Sequence, residues 1–286
     1  MDTNSVLSSE VLPRLALGTE AFLLLCLAFM IRALFNHRSY QAQKEALTSA
    51  DNVATAIDLS AYLFSILLVM LDSLVLKNES LLGQSSELAY IGITIIILME
   101  VCQRVSDLIL FKGITVHHEI HQKHNLALAL ARGSVIIAIA MMLRGVLEQE
   151  QSWVDHLIWS GVGITSITGL GAFLQWLTPY DDLEEISKGN MAASLPLCGA
   201  WLASGITVEA AISGESISFV ESIIGILLFI VIACIVICIL RFALRHIFFR
   251  GVDLDKEIVE DRNSGVGLFE ATLYLCIAEL ISFFLS

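Results

Sequence analysis

Four asparagines, Asn52, Asn125, Asn190 and Asn263, each open an apolar stretch, and their spacing is regular: Asn52 to Asn190 and Asn125 to Asn263 both cover 138 residues. Small residues follow each at its second and fourth neighbours: Ala54 and Ala56, Ala127 and Ala129, Ala192 and Ser194, Gly265 and Gly267. Two kinds of chemistry fit this pattern. An asparagine oxygen at the first turn of a helix caps unpaired backbone N–H groups, a contribution of about 1 kcal/mol, while small side chains let membrane helices approach closely. Alternatively, the four helix N-termini converge on an axis and present amides and partial positive charge to an ion or anionic solute.

Arg132 and Glu270 lie seven residues beyond Asn125 and Asn263, so they too are 138 residues apart, with opposite charge. A charge inside a bilayer costs about 2.5–3.5 kcal/mol on insertion scales and is expected to face the bundle interior with a partner. Pairing of Arg132 with Glu270 would supply one, either as an ion pair joining two halves or as part of a solute or proton pathway. Glu100 and Arg104, four residues apart on one helix face, can neutralise each other. Asp58, Glu20, Glu209, Glu221 and Glu279 also fall in or near apolar stretches, several close enough to an end to reach the interface, with Glu279 deeper. Arg32, Arg241 and Arg245 are expected to snorkel to the surface.

The segment HHEIHQKH places His117 or His118 on one helical face with His121, at metal-ligand spacing. The segment 138 residues later, DKEIVEDR, has no histidine, so a metal is not expected in the common architecture, and a solvated loop that changes charge near neutral pH is the preferred reading. All six cysteines (Cys26, Cys102, Cys198, Cys234, Cys238, Cys276) sit in apolar stretches and read as packing side chains. Gly161, Thr165 and Gly169 form a small-residue ridge suited to helix contact, and Pro196 is placed to bend its helix. There is no phosphate loop or nucleophile elbow, and no loop is long enough to fold as a catalytic domain. An enzyme, catalytic residues and a cofactor are therefore not expected.

The elements that must position these residues follow from hydropathy. The chain is 56% hydrophobic and 16% charged, with a mean hydropathy of +0.78; an ordinary soluble domain is roughly 25% charged. Eight stretches have the length and apolarity to span a bilayer, at about 15–35, 53–76, 88–111, 126–146, 157–177, 191–212, 217–247 and 265–285. The fold class expected is an all-α polytopic membrane protein. The seventh stretch is the longest and should tilt, kink or extend beyond the bilayer. The first 14 residues carry no basic cluster, so a cleaved signal peptide is not expected. Despite a net charge of −13, orientation follows Lys and Arg in short loops. Loops after the odd-numbered spans hold Arg38, Lys44, Lys112, Lys123, Lys188, Arg250, Lys256 and Arg262, and the others little beyond Lys77, so the odd loops are expected in the cytoplasm and both termini outside it.

FKGITVHHEIHQKHNLALAL from Phe111 aligns without a gap on FRGVDLDKEIVEDRNSGVGL from Phe249, so the chain reads as two tandem four-helix units, 1–147 and 148–286. Each unit has an even number of spans, so the two run parallel in the membrane, related by an axis along its normal rather than inverted. A Glu-Ile loop, then asparagine and alternating small residues at the mouth of a helix, twice per unit, resembles the YjfL-like inner-membrane proteins (domain of unknown function 350). The resemblance implies a bacterial inner-membrane location and this fold, and adds almost nothing about activity; with that location, the loop charges put both termini in the periplasm. Two functions remain open. One is a channel or transporter passing an ion or small polar solute at the level of the asparagines, Arg132 and Glu270; the other is a membrane scaffold or envelope-stress component recruiting a cytoplasmic protein. The bilayer is the expected environment, a homo-oligomer fits either reading, and no nucleic acid partner is expected.

Overall fold

A computed structural model describes residues 11–35, 40–48, 50–75, 80–148, 152–213 and 219–285, and among these the regular structure is entirely helical. Among the described residues eight helices are long and apolar enough to cross a membrane. They are α1 (Leu12–Phe35), α3 (Val53–Met70), α4 (Leu81–Leu110), α6 (Leu126–Glu148), α7 (Trp153–Leu177), α9 (Met191–Ser213), α10 (Phe219–Ala243) and α12 (Ser264–Leu285). Between them lie four short helices, α2 (Tyr40–Leu47), α5 (Val116–His121), α8 (Asp182–Ser187) and α11 (Leu254–Val259), in segments expected from sequence to be loops. The long seventh span ends in a π-helical turn, Leu244–Phe248, a local widening that lets the helix run on past its apolar stretch.

The order is a four-fold repeat of one unit: outer span, short helix, inner span. The short helices share one end of the bundle because the chain crosses the membrane once on each side of them. Backbone conformation marks the repeat as clearly as sequence does. The residue before each asparagine is left-handed: Asp51 (φ 44°), His124 (φ 55°), Gly189 (φ 76°) and Arg262 (φ 50°). Three of the four are not glycine, so this reversal from short helix into inner span is held by its surroundings against a steric cost.

The inner spans α3, α6, α9 and α12 pack in that order as a row, and the outer spans lie along it. Close approach needs glycine at the crossings. A Cβ on Gly199 would stand 2.5 Å from Ala271 Cα, and one on Gly205 2.6 Å from Ala138 Cα. The ridge of Gly161, Thr165 and Gly169 instead faces outward, and nothing lies within 4 Å of a Cβ placed on either glycine. On that helix the contacts are made by Gly163 against Met142 and Gly171 against Trp201. Helical spacing marked a ridge but not which side it faced. Gly199→Leu is therefore expected to destabilise the protein by about 1–3 kcal/mol or more through overpacking, whereas Gly161→Leu should change it by no more than about 0.5 kcal/mol. Unfolding of the two variants in bicelles measures the difference.

Candidate functional site

Three of the four asparagines, Asn52, Asn125 and Asn190, lie in packed seams. Asn52 caps α3, its oxygen accepting from Thr55 N at 3.0 Å, while its amide donates to the Ile120 and His121 carbonyls at the end of α5. Asn125 accepts from Leu128 N and donates to the Ile186 and Ser187 carbonyls of α8. Asn190 accepts from Ala192 N and donates to the Ile258 carbonyl of α11 and to Glu185. Each side chain thus caps its own inner span and fastens the short helix of the next unit. Asn52 and Asn190 are 2% and 1% exposed, so they face protein and not a pore. Asn263 caps α12 through Gly265 N, but its amide reaches only its own Glu257.

The polar cavity lies in the first half, where α1, α3, α4 and α6 meet at the short-helix end. Asp58 on α3 is the centre. Its two oxygens accept from Arg32 Nη2 at 3.0 Å and Arg132 Nη1 at 2.6 Å. Arg132 also holds Asp107 in a two-pronged pair, Nε to Oδ1 at 2.9 Å and Nη2 to Oδ2 at 2.6 Å. Arg32 donates to Glu100 at 3.3 Å and its guanidinium sits 4.7 Å from the Tyr62 ring centroid. Glu100 reaches Arg104 at 4.0 Å, and Arg104 is half-exposed, covering the Phe35 ring and donating to the Phe35 carbonyl. Arg32, Glu100, Arg104, Asp107 and Arg132, with His117, line a cavity of about 800 Å³, and Asp58 lies behind that wall. Beyond it the interior is apolar, with Tyr62, Ile66, Met70, Ile96 and Met99 fully buried. Arg32 Nε and Gln103 Oε1 are buried without a hydrogen-bond partner among the described residues.

Arg132 and Glu270 do not pair. Arg132 finds its carboxylates within the first half, and Glu270 accepts a hydrogen bond from Tyr274 at 2.6 Å in the second. Equivalent positions in parallel units share a depth but stand apart along the row, which sequence offset alone did not separate. Arg32 does not snorkel and Asp58 does not reach the interface, since both are 2% exposed and paired. Asp107 was missed entirely. Its signal was present, because Glu100, Gln103, Arg104 and Asp107 fall at three- and four-residue intervals along one face of α4.

The rings of His117 and His121 are tilted against each other with centroids 4.6 Å apart, and His121 Nδ1 lies 2.7 Å from Thr55 Oγ1. No group of three or more potential metal ligands occurs among the described residues.

In the second half, Asp182 on α8 is buried beneath Tyr180 and accepts from Thr178 Oγ1 at 2.6 Å. Burial, reinforced by Glu270 and Asp181, pushes its carboxyl up to about 7 against the opposing pull of the Thr178 hydroxyl and Arg241. Burial, with Asp182 and Glu270 nearby, likewise pushes the Tyr180 phenol up.

Two outcomes follow. Arg132→Met leaves Asp58 and Asp107 short of a cation and should cost about 3–5 kcal/mol; combined with Glu270→Gln, the effects should add to within about 0.5 kcal/mol. Strong coupling in that double-mutant cycle would restore the pairing across the halves. Between about pH 4 and the raised value near 7, Asp182 is protonated in the fold but ionised in the unfolded chain, so its contribution to stability declines as pH rises through that window. Asp182→Asn should therefore melt progressively higher than the parent as pH is raised across it, as read by thermal unfolding of both proteins in parallel.

A family model described as "Domain of Unknown Function (DUF350)" matches the chain twice, over residues 80–174 and 161–285. A UPF0719 transmembrane protein of Aquifex aeolicus (strain VF5) is 23% identical over 199 residues, covering 68% of this chain and 72% of that relative. No solved structure matches. The two matches together cover most of the chain, α4 through α12, in keeping with tandem copies, and this multi-pass membrane protein belongs to the DUF350 family.

Proposed function

We propose that the chain is a non-catalytic, channel- or transporter-like protein of a bacterial inner membrane, which takes an ion or small polar solute into the cavity of its first half from the cytoplasmic side, with both termini periplasmic. The observation that carries this reading is the cavity of about 800 Å³ walled by Arg104, Asp107, His117 and Arg132. Isolated charges in a bilayer are costly, and those retained there usually mark a binding site or pathway. The Arg132–Asp107 pair is the outer bond of the network, with Asp107 19% exposed. An incoming anionic group can displace Asp107 from Arg132 while Asp58 continues to hold the guanidinium. The unpartnered Nε of Arg32, a lining residue, supplies a further donor. The apolar floor around Ile66, Met70 and Ile96 closes the other side, so passage requires α1 and α4 to part from α3.

The second reading is a scaffold that recruits a cytoplasmic protein through its short-helix end. It is favoured by the buried asparagine seam, which locks that end into one continuous surface. Binding and flux separate the two. Protein in nanodiscs is titrated with a panel of inorganic anions, carboxylates, alkali cations and polyamines, and the binders are then followed for flux in proteoliposomes. A binder should lose about 10- to 100-fold in affinity with Arg104→Gln, the loss of one charge-assisted hydrogen bond. Arg104 is half-exposed, so that variant should keep the parent's melting temperature. If nothing on the panel binds or crosses above empty vesicles, while substitutions at Lys123 and Lys188 abolish capture of a cytoplasmic protein, the transport reading is rejected.

A further inference from the structure

The row of inner spans is built from three successive contacts. Where α6 meets α9 and α9 meets α12, the second residue after one asparagine meets the fourth residue after the next. Ser194 Oγ donates to the Ala127 carbonyl at 2.6 Å, a Cβ on Gly267 would press on the Ala192 carbonyl, and Ala54 is fully buried, as is Ala129 on α6. One asparagine bond accompanies each contact: Asn52 to the Ile120 carbonyl, Asn125 to Ile186, Asn190 to Ile258.

Each end of the row keeps the half that the other end lacks. At the α12 end, Gly265 is exposed, and Asn263 has used one amide hydrogen on its own Glu257 and none on a following unit. Asn190, by contrast, bonds both its own Glu185 and the next unit's Ile258. At the α3 end, Ala56 is only half-buried. The carbonyl of Leu47, which holds in α2 the place of Ile120, Ile186 and Ile258, receives no hydrogen bond from the described residues.

The faces behind these ends also correspond. At the 138-residue offset, exposed Gly265 and Cys276 on α12 stand where α6 has Ala127 and Ala138. Half-buried Ala56 and Leu67 on α3 stand where α9 has Ser194 and Gly205. Inside the chain those counterparts touch, Ser194 on Ala127 and Gly205 on Ala138.

From this continuity we infer that a second copy of this chain docks head to tail, α12 of one copy against α3 of the next, extending the row between molecules. The contact joins two different faces, so it repeats into a closed ring or a continuous file in the membrane plane. Leu67 in place of Gly205 sets the two helices farther apart than α6 and α9. Lipid tails would cover Leu280 and Phe283 as well as a protein would. They give exposed Glu279 no polar neighbour, however.

The native thiol of Cys276 makes the test direct. In full-length protein with Cys26, Cys234 and Cys238 replaced by Ser, Leu67→Cys is added and membranes are treated with a mild oxidant. A ladder of covalent oligomers is expected on denaturing gels, absent without Leu67→Cys and absent again when Cys276→Ser is combined with it. Mixing a Leu67→Cys, Cys276→Ser chain with a chain that has only Cys276 should give dimers and nothing larger, because each copy then offers one of the two faces. Asn263→Asp, which keeps the cap on Gly265 N and loses the donating amide, should lower the ladder's yield with little change in melting temperature. Two results overturn the inference: a monomer by native mass spectrometry from nanodiscs with no ladder, or a Cys276–Cys276 dimer in the chain lacking Leu67→Cys, which requires a symmetric contact of α12 with itself.

Discussion

An asparagine side chain is acceptor and donor at once, and the row of inner spans depends on using both ends of it in different places. The oxygen terminates the unpaired N–H groups of one helix while the amide fastens carbonyls at the end of another unit's short helix. Aspartate would keep the cap and lose the fastening, and serine is too short to do both. Each bond has a net value of only about 0.5–1.5 kcal/mol, but leaving a buried carbonyl unmet costs about 1–3 kcal/mol. The left-handed residue before each asparagine belongs to the same device, since it aims the side chain back across the reversal.

The charge network is a second constraint, confined to the first half. Three arginines, Arg32, Arg104 and Arg132, face three carboxylates, Asp58, Glu100 and Asp107, so basic and acidic side chains are matched in number. Desolvation of each ion is offset only because its partners are already in place, and Asp58 does most of this by bridging arginines from α1 and α6. Such a cluster fixes four helices relative to one another without any apolar driving force between them, which a bilayer does not provide.

Much of this was legible beforehand. Hydropathy located all eight spans, and the 138-residue offset found the repeat because backbone devices such as caps tolerate few substitutions. The small residues at the second and fourth neighbours of each asparagine were visible, and their use as opposite halves of one contact was not, since that needs the neighbour's identity. Arg132 was marked as needing a carboxylate, but the chosen partner, Glu270, was the one singled out by sequence offset. Its true partners, Asp58 and Asp107, come from α3 and α4, and only the packing of those spans brings them to it. Arg32 was misjudged for the same reason, because a long side chain near a helix end can reach water in isolation and was in fact drawn inward by Asp58 and Glu100.

The two halves therefore carry different kinds of information. At the positions of Arg32, Asp58 and Glu100 the second half has Leu170, Pro196 and Cys238, and opposite Arg132 and Asp107 it has Glu270 and Arg245 with the charges exchanged. No rearrangement of side chains could rebuild the first network there, because its central carboxylate has become a proline. The asparagine device nevertheless persists in all four units, its last bond still open. A contact that is needed for assembly must survive in every copy of a repeat, whereas a site needs to survive in one. By that criterion the seam is the framework of this fold, and the cavity beside Asp58 is built on it in the first half.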